Sequence, residues 1–96
     1  MHVITRKRLN EFASKYPDAH SALEHWYRIM KVRRFGNFAQ LKELFPSADQ
    51  VANKTVFNIG GNKYRLIAAF HYNRNRVYIR AILTHRDYDK GNWKNR

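Results

Sequence analysis

Apolar residues recur along the chain with two different periods, and the change from one to the other falls near residue 50. In the first half, Leu9, Phe12, Ala13 and Tyr16 repeat at the spacing of one helical face, with Thr5 available as a cap and Pro17 as a stop. Asp18 or Ser21 can open a second helix whose apolar stripe is Ala22, Leu23, Trp26, Ile29 and Met30. After the Arg33–Asn37 interruption, Asn37 caps a third, short helix that turns Phe38, Leu41, Leu44 and Phe45 inward and ends at Pro46. Residues 2–5 have the composition of a short strand. The stripes read as core, because a helix of this length is stabilised chiefly by burying its apolar face.

The second half is rich in β-branched and aromatic residues and is punctuated by two turn signals. Gly60-Gly61 reads as a two-residue hairpin turn, which pairs Ile59 with Asn62 and Phe57 with Tyr64. A second turn centred on Arg74-Asn75 pairs Tyr72 with Val77 and Phe70 with Ile79. The expectation is a three-stranded antiparallel meander over 55–59, 62–72 and 76–84. In that register Phe57, Ile59, Tyr64, Leu66, Ala68, Phe70, Tyr72, Val77, Ile79, Ala81 and Leu83 share one apolar face. Asn58, Lys63, Arg65, Ile67, Ala69, His71, Tyr78, Arg80, Ile82 and Thr84 share the other. The fold class that follows is α+β: N-terminal helices packed on one face of a small twisted antiparallel sheet, the other face open, in one domain over 1–96.

Composition adds two things. With 96 residues, 44% hydrophobic, the chain can bury one modest core, and with no cysteine it holds neither disulfides nor thiolate metal sites. No run approaches ~18 apolar residues and "MHVITRKRLN" lacks a signal-peptide core, so a cytoplasmic protein without membrane contact is expected. Charge changes the picture more. The net charge is +12, and from Gln50 through Arg86 there is no acidic residue among Lys54, Lys63, Arg65, Arg74, Arg76, Arg80 and Arg86. A field of this sign attracts polyanions, nucleic acid above all. A cation-rich surface kept for solubility and an acidic protein partner are the other readings of the same numbers.

Candidate chemistry lies where the last strand gives way to "LTHRDYDK" (83–90). RNA is cleaved without a metal when a base takes the 2′-OH proton, a cation stabilises the phosphoryl oxygens and an acid protonates the leaving 5′-oxygen. Histidine carries protons at neutral pH, and the planar fork of arginine matches two phosphate oxygens. His85, Arg65, Arg80, Tyr88 and Tyr78 fall in the right region, with tyrosine able to stack on a base or give a proton. The segment could equally be a frayed, solvated end. Asp87 and Asp89 are candidate general bases, or partners of Arg86 and Lys90, or caps of a last helical turn. Among the other histidines, His20 with Glu24 is the only helical i, i+4 ligand pair and is thin support for a metal, and His71 beside a turn reads as solvated.

The run "VFNIGGNKYRLIAAFHYNRNRVYIRAILTHRDYDK" resembles the core of the HigB toxins of type II toxin–antitoxin systems, and "MHVITRKRLNEFASKYPDAHSAL" and "LKELFPSADQV" are similar to the same family. The resemblance covers nearly the whole chain and is weakest after Lys90. It implies a RelE-like fold and a ribosome-dependent mRNA interferase, an endoribonuclease that enters the ribosomal A site and needs no metal or other cofactor. It also implies a HigA-type helix-turn-helix antitoxin, through which alone operator DNA would be bound. By position in the motif, the resemblance implies catalytic roles for Arg65, His85 and Tyr88. Lys54 and Lys63 would grip mRNA or ribosomal RNA, together with Asn58, Tyr78, Arg80, Arg86 and Lys90. A non-catalytic RNA- or ribosome-binding module is the alternative; it would keep the cationic face without needing His85 or Tyr88.

Overall fold

The structure is a computed structural model and describes residues 1–91 and 93. In chain order it comprises strand β1 (His2–Ile4), helices α1 (Arg6–Lys15), α2 (His20–Val32) and α3 (Phe38–Leu44), strands β2 (Asp49–Val51), β3 (Lys54–Ile59), β4 (Tyr64–His71) and β5 (Arg76–Thr84), and helix α4 (His85–Asp89). No helix among the described residues is long and apolar enough to cross a membrane.

The helices follow their stripes. Pro17 stops α1 and begins a single 3-10 turn that leads into α2. Asn37 caps α3 as expected, its side chain accepting from the Gln40 amide at 2.9 Å. Thr5 stands at the head of α1 without a side-chain cap bond. Leu9, Leu23, Trp26, Met30 and Leu41, one from each predicted stripe or more, are buried against the sheet.

The sheet is wider than the meander and is mixed, with strand order β1-β5-β4-β3-β2. β2 adds an antiparallel edge to β3, and β1 runs parallel to β5 with Val3 opposite Val77. β2 has too few residues to show a period. It exists because Val51 pairs with Lys54 across a two-residue turn whose first residue, Ala52, takes φ 56°. The parallel neighbour is possible because the helices supply the long crossover that such pairing needs.

Both hairpin registers differ from expectation, with different consequences. Gly60 and Gly61 do adopt φ 62° and 69°, but the loop runs on to Lys63, so Ile59 faces Tyr64 and Phe57 faces Leu66. This offset of two residues leaves every side chain on its expected face, because the period of a strand is two. The second hairpin pairs Phe70 with Val77 and Ala68 with Ile79, then slips between Ile67 and Ala68 so that Arg80 has no opposite residue and Ile67 faces Ala81. A bulge of this kind inverts the facing of everything beyond it. Ile82 and Thr84 therefore pair with Leu66 and Tyr64 on the helix side, and Ala81 and Leu83 move to the other face, opposite to the expected placement.

That other face is only partly open. Val56, Ile67 and Ala81 form a second small core there, closed by Trp93, with Val51, Leu83 and Tyr88 packed against it. Tyr88 and Trp93 thus pack on the sheet, and this stretch is not a frayed, solvated end.

On the helix side, one polar contact ties the first hairpin to the turn before α2. The Tyr64 hydroxyl donates to Asp18 Oδ1 at 2.6 Å, and Lys63 Nζ lies 3.5 Å from Asp18 Oδ2. The Tyr64 bond, with help from Lys63, holds the Asp18 carboxyl below its ordinary range. The same bond, then burial, pushes the Tyr64 phenol up to about 12. Asp18 thus stabilises the fold above its unfolded pKa of roughly 3.9, and this is lost as pH falls through the lower folded value. Tyr64 contributes below its unfolded value of roughly 10, and this is lost as pH rises through the folded one. Tyr64→Phe should accordingly flatten the stability profile at both ends. The check is a series of thermal melts from acid to alkaline pH; a variant as acid- and alkali-sensitive as the wild type would mean that the pair does not carry these dependences.

Candidate active site

Arg65 is the second residue of β4 and points to the partly open face, opposite Asn58 on β3 and Leu83 on β5. It is 9% exposed. Its Nη1 donates to the carbonyls of Asn62 and Tyr64 at 3.2 and 3.1 Å, and its Nη2 lies 3.3 Å from His85 Nδ1. The guanidinium also sits over the Tyr88 ring, 5.5 Å from the centroid. Among the described residues no carboxylate pairs with it. A buried guanidinium whose charge is not neutralised by the protein is suited to an anionic ligand.

The short helix α4 delivers the acid–base groups. Thr84 ends β5 in extended conformation and caps α4, its hydroxyl accepting from the Asp87 amide at 3.2 Å. The His85 amide donates to the Lys63 carbonyl at 3.0 Å, which fixes the start of the helix beside the first hairpin. One turn on, Asp89 Oδ2 lies 3.4 Å from His85 Nε2. The tautomer follows from the partners. A guanidinium only donates, so Nδ1 must accept from Arg65, and the ring proton sits on Nε2 facing Asp89. Tyr88 is held from the other side by Trp93, with ring centroids 5.0 Å apart at 15° and Trp93 Nε1 donating to the Tyr88 carbonyl at 3.0 Å.

Arg65, His85 and Tyr88 are therefore brought together. Asn58 lies beside them across the β3–β4 pair. Tyr78 and Arg80 occupy the same face further along β5, the Arg80 guanidinium 5.6 Å from the Tyr78 centroid, with His71 edge-on to Tyr78 at 4.9 Å. Lys54 lies toward that far end, one residue beyond the Thr55–Ala68 pair. Arg86 is exposed on α4, and Lys90, just past it, is 3.9 Å from Asp87. Lys63 is the exception. Its ammonium turns to Asp18 on the helix side, because the longer loop places it outside the strand alternation.

Three residues escaped sequence reading in their particular roles. Asp89 is the partner of His85 rather than of Lys90; Asp87 is the carboxylate that meets Lys90, one of the pairings the sequence allowed, and gives only its backbone amide to the Thr84 cap. The Thr84-x-x-Asp87 spacing is a helix-start signal that would have put His85 and Asp89 on one face. Trp93 and Arg8 had no such signal, since only tertiary packing brings them to this face. Among the described residues, no three His, Asp or Glu side chains converge as a metal site would need.

A profile of the HigB_toxin family, described as the RelE-like toxic component of a toxin–antitoxin system, matches residues 19–91. The mRNA interferase toxin HigB of Escherichia coli K12 is 36% identical over 92 residues, covering 93% of this chain and 88% of that protein. The mRNA interferase HigB of Shigella flexneri shows the same 36% over 92 residues, with 93% and 88% covered. That of Escherichia coli O6:H1 strain CFT073 is 32% identical over 93 residues, covering 94% and 90%. The matched span runs from the turn before α2 through α4 and contains Arg65, His85, Tyr88 and Asp89, so the chain belongs to the HigB toxin family, the RelE-like toxic components of toxin–antitoxin systems.

Proposed function

We propose that this protein is an mRNA interferase, the toxin of a type II toxin–antitoxin pair, which cuts translated mRNA in the ribosomal A site. In this reading its single domain works in the cytoplasm, a HigA-type helix-turn-helix antitoxin neutralises it, and operator DNA is reached only through that antitoxin. The relatives' names and the basic sheet support the reading. The observation that carries it is the chain of contacts Arg65–His85–Asp89, a cation, an imidazole and a carboxylate in series on an otherwise cation-rich face.

The chemistry follows from the partners. The scissile phosphate offers its non-bridging oxygens to Arg65, and the guanidinium turns from His85 Nδ1 to meet them. Nδ1, now uncovered, takes the proton of the adjacent 2′-OH. The 2′-oxygen bonds to phosphorus and the P–O5′ bond breaks, leaving a cyclic phosphate on one fragment. Tyr88 gives its phenolic proton to the departing 5′-oxygen and recovers one from the His85 imidazolium through water, which restores both groups. Asp89 stabilises the imidazolium while it exists and holds the ring in place. Asn58, Lys54, Tyr78, Arg80, Arg86 and Lys90 hold the strand by phosphate contact and stacking.

The test is induced expression in a bacterial host, with growth followed and new mRNA 5′ ends mapped by primer extension. Arrest with new ends confined to translated frames is expected. Arrest without new ends would replace the interferase with a non-catalytic ribosome-binding module.

A further inference from the structure

A second cationic site lies on the same face, away from His85. Arg8, Asn53, Lys54 and Arg80 line a half-open cleft of about 470 Å³. Three cations thus converge with no carboxylate among the lining residues.

Lys54 is the most informative of them. It is 8% exposed, yet its ammonium has no hydrogen-bond or ion-pair partner among the described residues. Lysines buried to this degree are almost always paired. Here the buried stem directs an unneutralised charge into a basic cleft. Arg8 comes from α1 and is tied to the β5 edge at the bulged residue. Beyond β1 the edge of β5 carries no strand partner, and Arg8 Nη1 donates to the Arg80 carbonyl at 3.3 Å. One donor of the guanidinium is used in this strap, and the rest are left for a ligand. The nearest acid on α1, Glu11, is engaged by Lys7 at 3.8 Å.

We propose that Arg8, Lys54 and Arg80, with the Asn53 amide beside them, form an anion site that holds one phosphate of an RNA backbone and so sets which phosphodiester reaches His85. This rests on the reading of the protein as RNA-directed. Lys54 lies beside Ala69, and Arg65 is four residues earlier on β4, so the two cationic sites are roughly 13 Å apart at ~3.3 Å per residue. Tyr78, opposite Ala69 on β5 and so level with Lys54, offers a ring on which the base next to the held phosphate can stack. An RNA strand gripped at both ends of this track has its register fixed at the bond between Arg65 and His85.

Binding is measured by fluorescence anisotropy with a fully 2′-O-methylated single-stranded RNA, which lacks the attacking hydroxyl and cannot be cut. A salt series is run for the wild type, Arg8→Gln, Lys54→Met and the double variant, and repeated on vacant bacterial ribosomes. Each single variant should weaken binding by about tenfold and lower the slope of log K against log salt by about 0.7, the single-strand value for one phosphate. The double variant should lose little more slope than either single one, because both cations hold the same phosphate. Loss on the free strand assigns the site to the substrate, and loss on vacant ribosomes alone assigns it to ribosomal RNA. Unchanged affinity and slope on both would overturn the proposal, whatever acidic protein segment then proved to fit the cleft. Lys54→Met keeps the buried stem; should it fail to fold, Arg8→Gln on the exposed helix surface decides the matter. The methylated strand reports binding alone, so a wild type that cuts no translated mRNA would sink the interferase reading and leave these slopes standing.

Discussion

His85→Ala should lower the single-turnover cleavage rate on programmed ribosomes by about 10²–10⁴-fold, the usual contribution of one positioned proton-transfer group. Arg65→Ala should cost about 10²–10³-fold, as removal of one stabiliser of developing charge does. Arg65→Lys should rescue little. An ammonium cannot reproduce the fork that reaches the Asn62 and Tyr64 carbonyls with one nitrogen and His85 with the other. The two residues touch, so the double alanine variant should fall well short of the product of the single losses. Asp89→Asn should be milder, less than about fivefold, because the His85–Asp89 contact is half in solvent and such contacts are weak. Melts of each variant separate lost chemistry from lost structure. A His85→Ala protein that keeps cutting within about threefold of the wild type would move the base elsewhere and leave His85 a structural prop of Arg65.

Much of this site was legible because its parts are local. The carbonyls that hold Arg65 lie next to it after the turn glycines, and Thr84 and Asp89 lie next to His85 in "THRDYDK"; the Arg65–His85 contact that joins the two groups spans 20 residues. The helical stripes were legible for the same reason, since a 3.6-residue period in Leu9, Phe12, Ala13 and Tyr16 reports one face directly. The facing of the last strand was not legible. "RVYIRAILT" alternates equally well in two phases, and the bulge at Arg80 takes one phase before it and the other after it. The choice is made by packing, Ile82 on the helix core and Ala81 beneath Trp93, which no local pattern records. The parallel pairing of β1 and the strap from Arg8 to β5 are hidden likewise, because their partners lie 70 residues or more away. What local reading missed is therefore the geometry that gives the exposed face its second cationic end.

Phe57→Ala should destabilise the fold by about 3–5 kcal/mol, the cost of truncating a buried phenylalanine. Phe57 is 2% exposed and meets the rings of Phe45 at 5.1 Å, Trp26 at 5.5 Å and Phe70 at 6.0 Å. It joins α2, the segment after α3 and both central strands in one contact, so no single neighbour can collapse into the space left behind. Small domains have only about 5–15 kcal/mol in total, so the variant should melt more than about ten degrees lower and lose toxicity at growth temperature. The loss reaches the site by a short route. Phe57 faces Leu66 across the β3–β4 pair, and Leu66 adjoins Arg65, whose guanidinium depends on the hairpin carbonyls for its aim. Val32→Ser, at a side chain 80% exposed, should change stability by less than about 0.5 kcal/mol and serves as the control. The two classes of inactive variant then separate in one experiment: Phe57→Ala loses its melt and its activity together, and His85→Ala loses activity with its melt intact. A Phe57→Ala protein that melts with the wild type would show that the aromatic cluster does not hold the helices to the sheet, and the positioning of Arg65 would have to be traced to the second core beneath Trp93 instead.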